Sequence, residues 1–194
     1  MKLRNALLAS AATLLGTMSI GAQAASENLL VDNSTYQTAQ DVGAVSSAAA
    51  VNVFGVRGTV SIFGVAINDD DNADFYQFSV GANQMVTLTV QTPEGSLENN
   101  NPVVGLFDAN GMQLANDDDG GAGYDSLLTY TLTTAGTYYA AVSGYADFDF
   151  IGGGSTNFIY DLKIEAAPAP VPVPAAAWLF GSALLGLAAS RRKS

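Results

Sequence analysis

Tyr76-Gln-Phe-Ser-Val80 sets large apolar side chains at every second position with Gln77 and Ser79 between them, the period of a strand with one buried face. The same alternation recurs on either side of it. Val86, Leu88 and Val90 alternate with Thr87, Thr89 and Gln91, and Leu128, Tyr130 and Leu132 alternate with Thr129 and Thr131. Tyr138, Ala140 and Val142 follow the Ala135-Gly136 turn, and Phe158, Tyr160, Leu162 and Ile164 alternate with Asp161 and Lys163. Apolar runs at 51–56, 58–67 and 103–107 predict three more strands, and Asn110-Gly111 predicts a turn into a short partner at 112–115. No stretch from Glu27 to Glu165 sustains a 3.6-residue period. Strands at this spacing, broken by Asn, Asp and Gly clusters, predict an all-β domain: a two-sheet antiparallel β-sandwich, jelly-roll-like.

The two ends have a different composition. Lys2 and Arg4 precede an apolar run at 6–20, and Ala22-Gln-Ala24 is an A-x-A cleavage site, so 1–24 is expected to be a secretory signal peptide cut after Ala24. The β-sandwich domain is then expected over 25–167, a Pro-rich linker and sorting motif over 168–174, and a basic tail over 191–194. Between linker and tail, Ala175 to Ser190 is a run of 16 uncharged residues, or 20 counted from Val171. About 20 apolar residues span a bilayer core, which predicts a single transmembrane helix at 175–190. Arg191, Arg192 and Lys193 would hold its end on the cytoplasmic side and leave the domain outside. Pro172 and Pro174 lack backbone donors and keep that stretch extended and open to a processing enzyme.

Charge narrows the partners. All eighteen acidic residues stand between Glu27 and Glu165, with only Arg57 and Lys163 of the seven basic ones, so the body carries −16 where the whole chain carries −11. Such a body repels nucleic acid and anionic headgroups and attracts divalent cations. The chain has no Cys and no His. That removes a disulfide framework, a lipoprotein anchor and the commonest general base, and the acids cluster in loops rather than standing singly in an apolar pocket. A non-catalytic protein is expected.

Those loops carry the main chemical signal. Asn68-Asp-Asp-Asp-Asn-Ala-Asp74 and Asn116-Asp-Asp-Asp-Gly-Gly-Ala-Gly-Tyr-Asp125 offer hard oxygen ligands, and calcium takes six to eight of them. Asp69, Asp71, Asp74, Asp117, Asp119 and Asp125 are the candidate calcium ligands, although neither loop has EF-hand or RTX spacing. The same residues also serve as ordinary strand-ending, solvating side chains. Asp147-Phe-Asp-Phe150 and Gly152-Gly-Gly-Ser155 are expected to form a mobile hairpin loop.

Two resemblances add to this. Val171-Pro-Val-Pro174, the apolar segment and Arg191-Arg-Lys193 resemble the PEP-CTERM tail of exported Gram-negative proteins, with Pro-Val-Pro where the family has Pro-Glu-Pro. That resemblance implies an exosortase as processing enzyme, passage through the secretion machinery, a transient inner-membrane anchor, and release to the surface. Asn72 to Val80, Gly105 to Gly111, Leu114 to Gly120, Ser126 to Leu132 and Gly136 to Gly144 resemble the bacterial pre-peptidase C-terminal domain, a β-sandwich usually appended to secreted peptidases. The resemblance spans roughly 52–165, and 25–50 is too short to hold a peptidase. The expected function is an exported, non-catalytic envelope or matrix protein working among exopolysaccharides. The alternative is a calcium-dependent carbohydrate-binding or adhesive module, with a sugar at Tyr124, Tyr145 or Phe148.

Overall fold

The computed structural model describes residues 22–29, 31–62, 64–68, 73–93, 100–155 and 157–170. The alternating segments form the expected strands. In chain order they are β1 (Ala22–Ser26), β2 (Gln40–Val45), β3 (Ala50–Arg57), β4 (Thr59–Ile62), β5 (Val65–Asn68) and β6 (Asp74–Val80). There follow β7 (Gln84–Gln91), β8 (Pro102–Phe107), β9 (Gln113–Asp117), β10 (Ser126–Leu132), β11 (Gly136–Gly144) and β12 (Phe158–Pro168). A first sheet of five strands runs β1-β3-β12-β7-β10, and a second of five runs β2-β6-β11-β8-β9. Their facing apolar sides make the main core, in which Phe78, Leu88, Leu106, Leu162 and Ile164 are fully buried. Each such side chain contributes roughly 1.5–3 kcal/mol of burial.

The sandwich is mixed rather than antiparallel, which corrects the expectation. β1 runs parallel to β3 and β2 parallel to β6, each at the edge of its sheet. The chain crosses from the first sheet to the second and back as it passes β1, β2 and β3, and that crossover is what lets β1 and β3 point the same way. Alternation reports which face is buried and says nothing of direction. A second correction concerns 58–67, expected as one strand. It folds back on itself as the β4–β5 hairpin, with Ile62 paired to Val65 and Gly64 at φ +78° in the turn.

β2 carries no sequence alternation because a bulge lies between Asp41 and Gly43, so its buried residues, Val42 and Val45, fall three apart. The second sheet is covered on both faces. Phe75, Val103, Phe107 and Tyr139 point away from the main core into a smaller one, closed by Phe150 and flanked by Tyr36 and Ala39. Burial on both sides explains why β8 reads as the continuous apolar run PVVGLF. The first sheet's outer face carries Thr87, Thr89, Thr129, Lys163 and Glu165, none of them buried.

One polar chain crosses the interior. Tyr160 of β12 donates its hydroxyl proton to Asp74 Oδ2 of β6 at 2.6 Å, and Tyr76 lies 2.6 Å from the same hydroxyl. Since Tyr160 spends its proton on Asp74, Tyr76 is the donor to Tyr160. Burial first, and then the charge of Asp74, push the Tyr160 phenol well above its ordinary range. Among the described residues no helix is long and apolar enough to cross a membrane. The expected span at 175–190 lies outside them.

Candidate functional site

Asp74, Val142, Val104 and Asp117 form one row across the second sheet, because Val142 pairs with Asp74 and with Val104, and Val104 pairs with Asp117. At this end of the sandwich two loops meet around Asn101 and Pro102. One is 117–126 and the other 144–157. The Ser126 hydroxyl reaches Pro102 O at 2.7 Å and Asp118 O at 3.0 Å, while Tyr145 N and Ser155 Oγ donate to Asn101 O at 2.8 and 3.0 Å.

The acidic loop is knitted by its own carboxylates. Asp117 Oδ1 accepts from Gly120 N at 2.9 Å and Leu127 N at 2.8 Å. Asp125 Oδ1 accepts from Thr92 N at 3.0 Å and Thr92 Oγ1 at 3.2 Å. Asp119 is exposed. Asp74 stands apart from this group: its side chain is fully buried between the sheets and bonded to Tyr160. Three strand spacings, about 14 Å in all, separate its backbone from that of Asp117, far beyond the reach of one ion. Asp69 and Asp71 lie outside the described residues. Among the described residues no three acidic side chains gather to hold a metal.

The second loop was expected to be a mobile hairpin, and the structure braces it from three sides. Asp147 is its hub: Oδ2 accepts from Ser143 Oγ at 2.5 Å and Gly152 N at 3.1 Å, and Oδ1 from Ile151 N at 3.3 Å. Burial alone would raise this carboxyl, but the bonds from Ser143, Asp149, Gly152 and Ile151 outweigh it and hold it below the ordinary carboxylate range. The shared hydrogen bond moves Asp149, its exposed neighbour, the other way. Arg57, 2% exposed, donates Nε to Ser155 O at 3.1 Å and Nη2 to Gly153 O at 2.6 Å. Phe150 is the third brace, buried edge-on against Phe107 at 5.4 Å between centroids. Gly105 makes room for it, because a Cβ there would lie 2.6 Å from Phe150 Cζ.

With its base fixed, this loop holds rings in water. Tyr145 is 49% exposed and Phe148 37%, packed edge to face at 5.8 Å with an interplanar angle of 89°. Gln113 of β9 donates to Phe148 O at 3.2 Å and ties the ring-bearing backbone to the second sheet. Tyr124 is exposed on the acidic loop.

Arg57, Ser143, Asp147 and Phe150 were not among the candidate site residues, and Asp147 to Phe150 entered the sequence reading only as part of a loop. Arg57 alone left a signal, as one of two cations in an acidic body. Of the signal-cleavage residues, Ala22 and Ala24 lie in β1, so the expected cut falls inside a strand whose residue Ala25 pairs with Val53. Past the cut, Glu27 N bonds Phe54 O, and Gln40 bonds both Ser26 O and Asn28 N. Pro172, Pro174, Arg191, Arg192 and Lys193 lie outside the described residues.

Residues 72–144 match the family model of the bacterial pre-peptidase C-terminal domain, a segment holding all of β6 to β11. It is narrower than the stretch expected from the sequence and supports a fold of that kind. Similar solved structures include the pre-peptidase C-terminal domain of a collagenase from Bacillus anthracis, 14% identical, TM-score 0.37, covering 66% of this chain and 94% of that one. PliG, a periplasmic inhibitor of g-type lysozyme from Aeromonas hydrophila, is 11% identical, TM-score 0.37, covering 76% and 98%. CorA, a surface-associated copper-binding protein of Methylomicrobium album BG8, is 12% identical, TM-score 0.37, covering 68% and 98%. No curated protein matches the chain in sequence.

Proposed function

We propose that the chain is an exported, non-catalytic protein of the cell envelope or extracellular matrix that works through the loop end of its sandwich. The observation that carries this reading is the 144–157 loop, where Asp147 and Arg57 brace the backbone while the rings of Tyr145 and Phe148 face solvent beside Asp149 and Ile151. The match to an accessory domain of secreted proteins and the absence of His and Cys agree with it. Export rests on the segment 1–24. Sorting rests on the likeness of 171–194 to a PEP-CTERM tail, with an exosortase-type enzyme acting at Pro172-Val-Pro174 and exopolysaccharide as the medium.

Intact-mass analysis of the protein from its host tests the sorting. A mature species starting near Ala25 and lacking the apolar tail is expected. Replacing Arg191, Arg192 and Lys193 by neutral residues should impair tail processing while leaving the domain folded, since these residues orient the span. Full-length tail in the mature surface fraction, or unchanged sorting in the variant, would overturn this part. Calcium enters as a companion proposal, bound at the acidic loops with Asp69 and Asp71 as the ligands that complete the set.

A further inference from the structure

We infer that the rings of Tyr145 and Phe148, together with the exposed carboxyl of Asp149, form a binding site for a polysaccharide of amino-sugar units with free amines. The edge-to-face pair sets two half-exposed rings perpendicular to one another. A pyranose lays its apolar C–H face on such a ring, and an ammonium is drawn to the same negative π-face. Asp149 follows Phe148 in the chain and is exposed, with its carboxyl sharing a hydrogen bond with Asp147 on the same loop.

Rigidity and charge point the same way. Exposed rings on a loose loop would pay ordering entropy on binding, whereas Asp147, Arg57 and Phe150 fix this loop beforehand. The body carries −16, its Arg57 is buried under the loop, and Lys163 lies on the outer face of the other sheet. Among the described residues no exposed cation lies on this loop to attract a uronic-acid chain, and the acidic body attracts a polyamine. A protein partner fits poorly, because a stable interface buries about 800 Å² per side and this loop offers only Tyr145, Phe148 and Ile151 as large exposed apolar side chains. The inference depends on the envelope role only for where the protein would meet its ligand.

The full chain in detergent micelles would be titrated calorimetrically near pH 6 with glucosamine hexamer, N-acetylglucosamine hexamer and polygalacturonate. Saturable binding of the glucosamine hexamer is expected, at least tenfold weaker in Tyr145→Ala/Phe148→Ala and several-fold weaker in Asp149→Asn. The N-acetylated hexamer should bind more weakly and polygalacturonate not at all. The double variant should melt with wild type, and if it does not, Phe148→Ala, which also keeps every charge, carries the test. The double variant keeps every charge, so undiminished binding by it would reduce the attraction to diffuse electrostatics and overturn the site. Equal affinity for the two hexamers, or binding of neither, would overturn it as well. A chain that is processed and exported yet binds none of them sinks the site and spares the sorting proposal; binding by a chain whose tail stays uncut does the reverse.

Discussion

Gly55 faces Tyr160 across the β3–β12 ladder, and a Cβ on it would overlap the Tyr160 ring at Cζ and the hydroxyl. The ring cannot retreat, since it is fully buried with its hydroxyl tied to Asp74 and Tyr76. Overpacking of this kind costs about 1–3 kcal/mol. Gly55→Ala should therefore lower the melting temperature by several degrees. Gly81→Ala is the control, because a Cβ there meets nothing within 4 Å. Equal melts for the two variants would show that Tyr160 yields. Tyr76 and Tyr160 were legible as inward residues from their alternation. The bond of Tyr160 to Asp74 was not, because Asp74 looked like the last residue of an acidic loop and is in fact the first inward residue of β6. Position relative to a strand end, which composition does not fix, separates an expected ligand from a core carboxylate.

At the scale of an element, the 144–157 loop turns on one carboxylate. Asp147 has a folded titration point below that of an unfolded Asp, near 3.9. Its stabilisation is thus fully present above that value and is lost as pH falls through the folded one. Asp149 is shifted upward and contributes with the opposite sign, so the comparison belongs in an Asp149→Asn background. There, Asp147→Asn should lower the melting temperature at pH 7 by a few degrees, as hydrogen bonds to a charged group are worth about 1.5–3 kcal/mol. The gap should close as pH is lowered below the ordinary carboxylate range, and a gap constant with pH would remove Asp147 from its place as hub. The strands around this loop could be read from period two, whereas, apart from the local bonds of Asp147, its braces join positions far apart in sequence. Arg57 meets Gly153 and Ser155, and Gln113 meets Phe148. A local pattern carries no trace of such pairs, which is why a bonded loop looked mobile.

On the scale of the whole molecule, −16 must be held on one cysteine-free domain, and the proposed calcium would relieve that repulsion. Extracellular calcium sites commonly bind at about 0.1–1 mM. With ~1 mM ion and a dissociation constant of ~0.1 mM, the gain would be about 1.4 kcal/mol, a shift of a few degrees. Melts of the full chain in EGTA and then in calcium should show that shift, and Asp71→Asn with Asp119→Asn should abolish it. Superimposable melts would leave 117–126 as a loop closed by its own hydrogen bonds. The position of β12 also sets a clock for this molecule. It lies at the middle of the first sheet, bonded to β3 on one side and β7 on the other, though it is the latest of the twelve strands in chain order. A polypeptide threaded through a membrane pore amino end first would carry β3 and β7 as two waiting edges until residue 168 is through. The domain would then close in the last moments of its passage, just ahead of the proline stretch where the proposed sorting cut falls, so that a complete fold and a presented cleavage site arrive almost together.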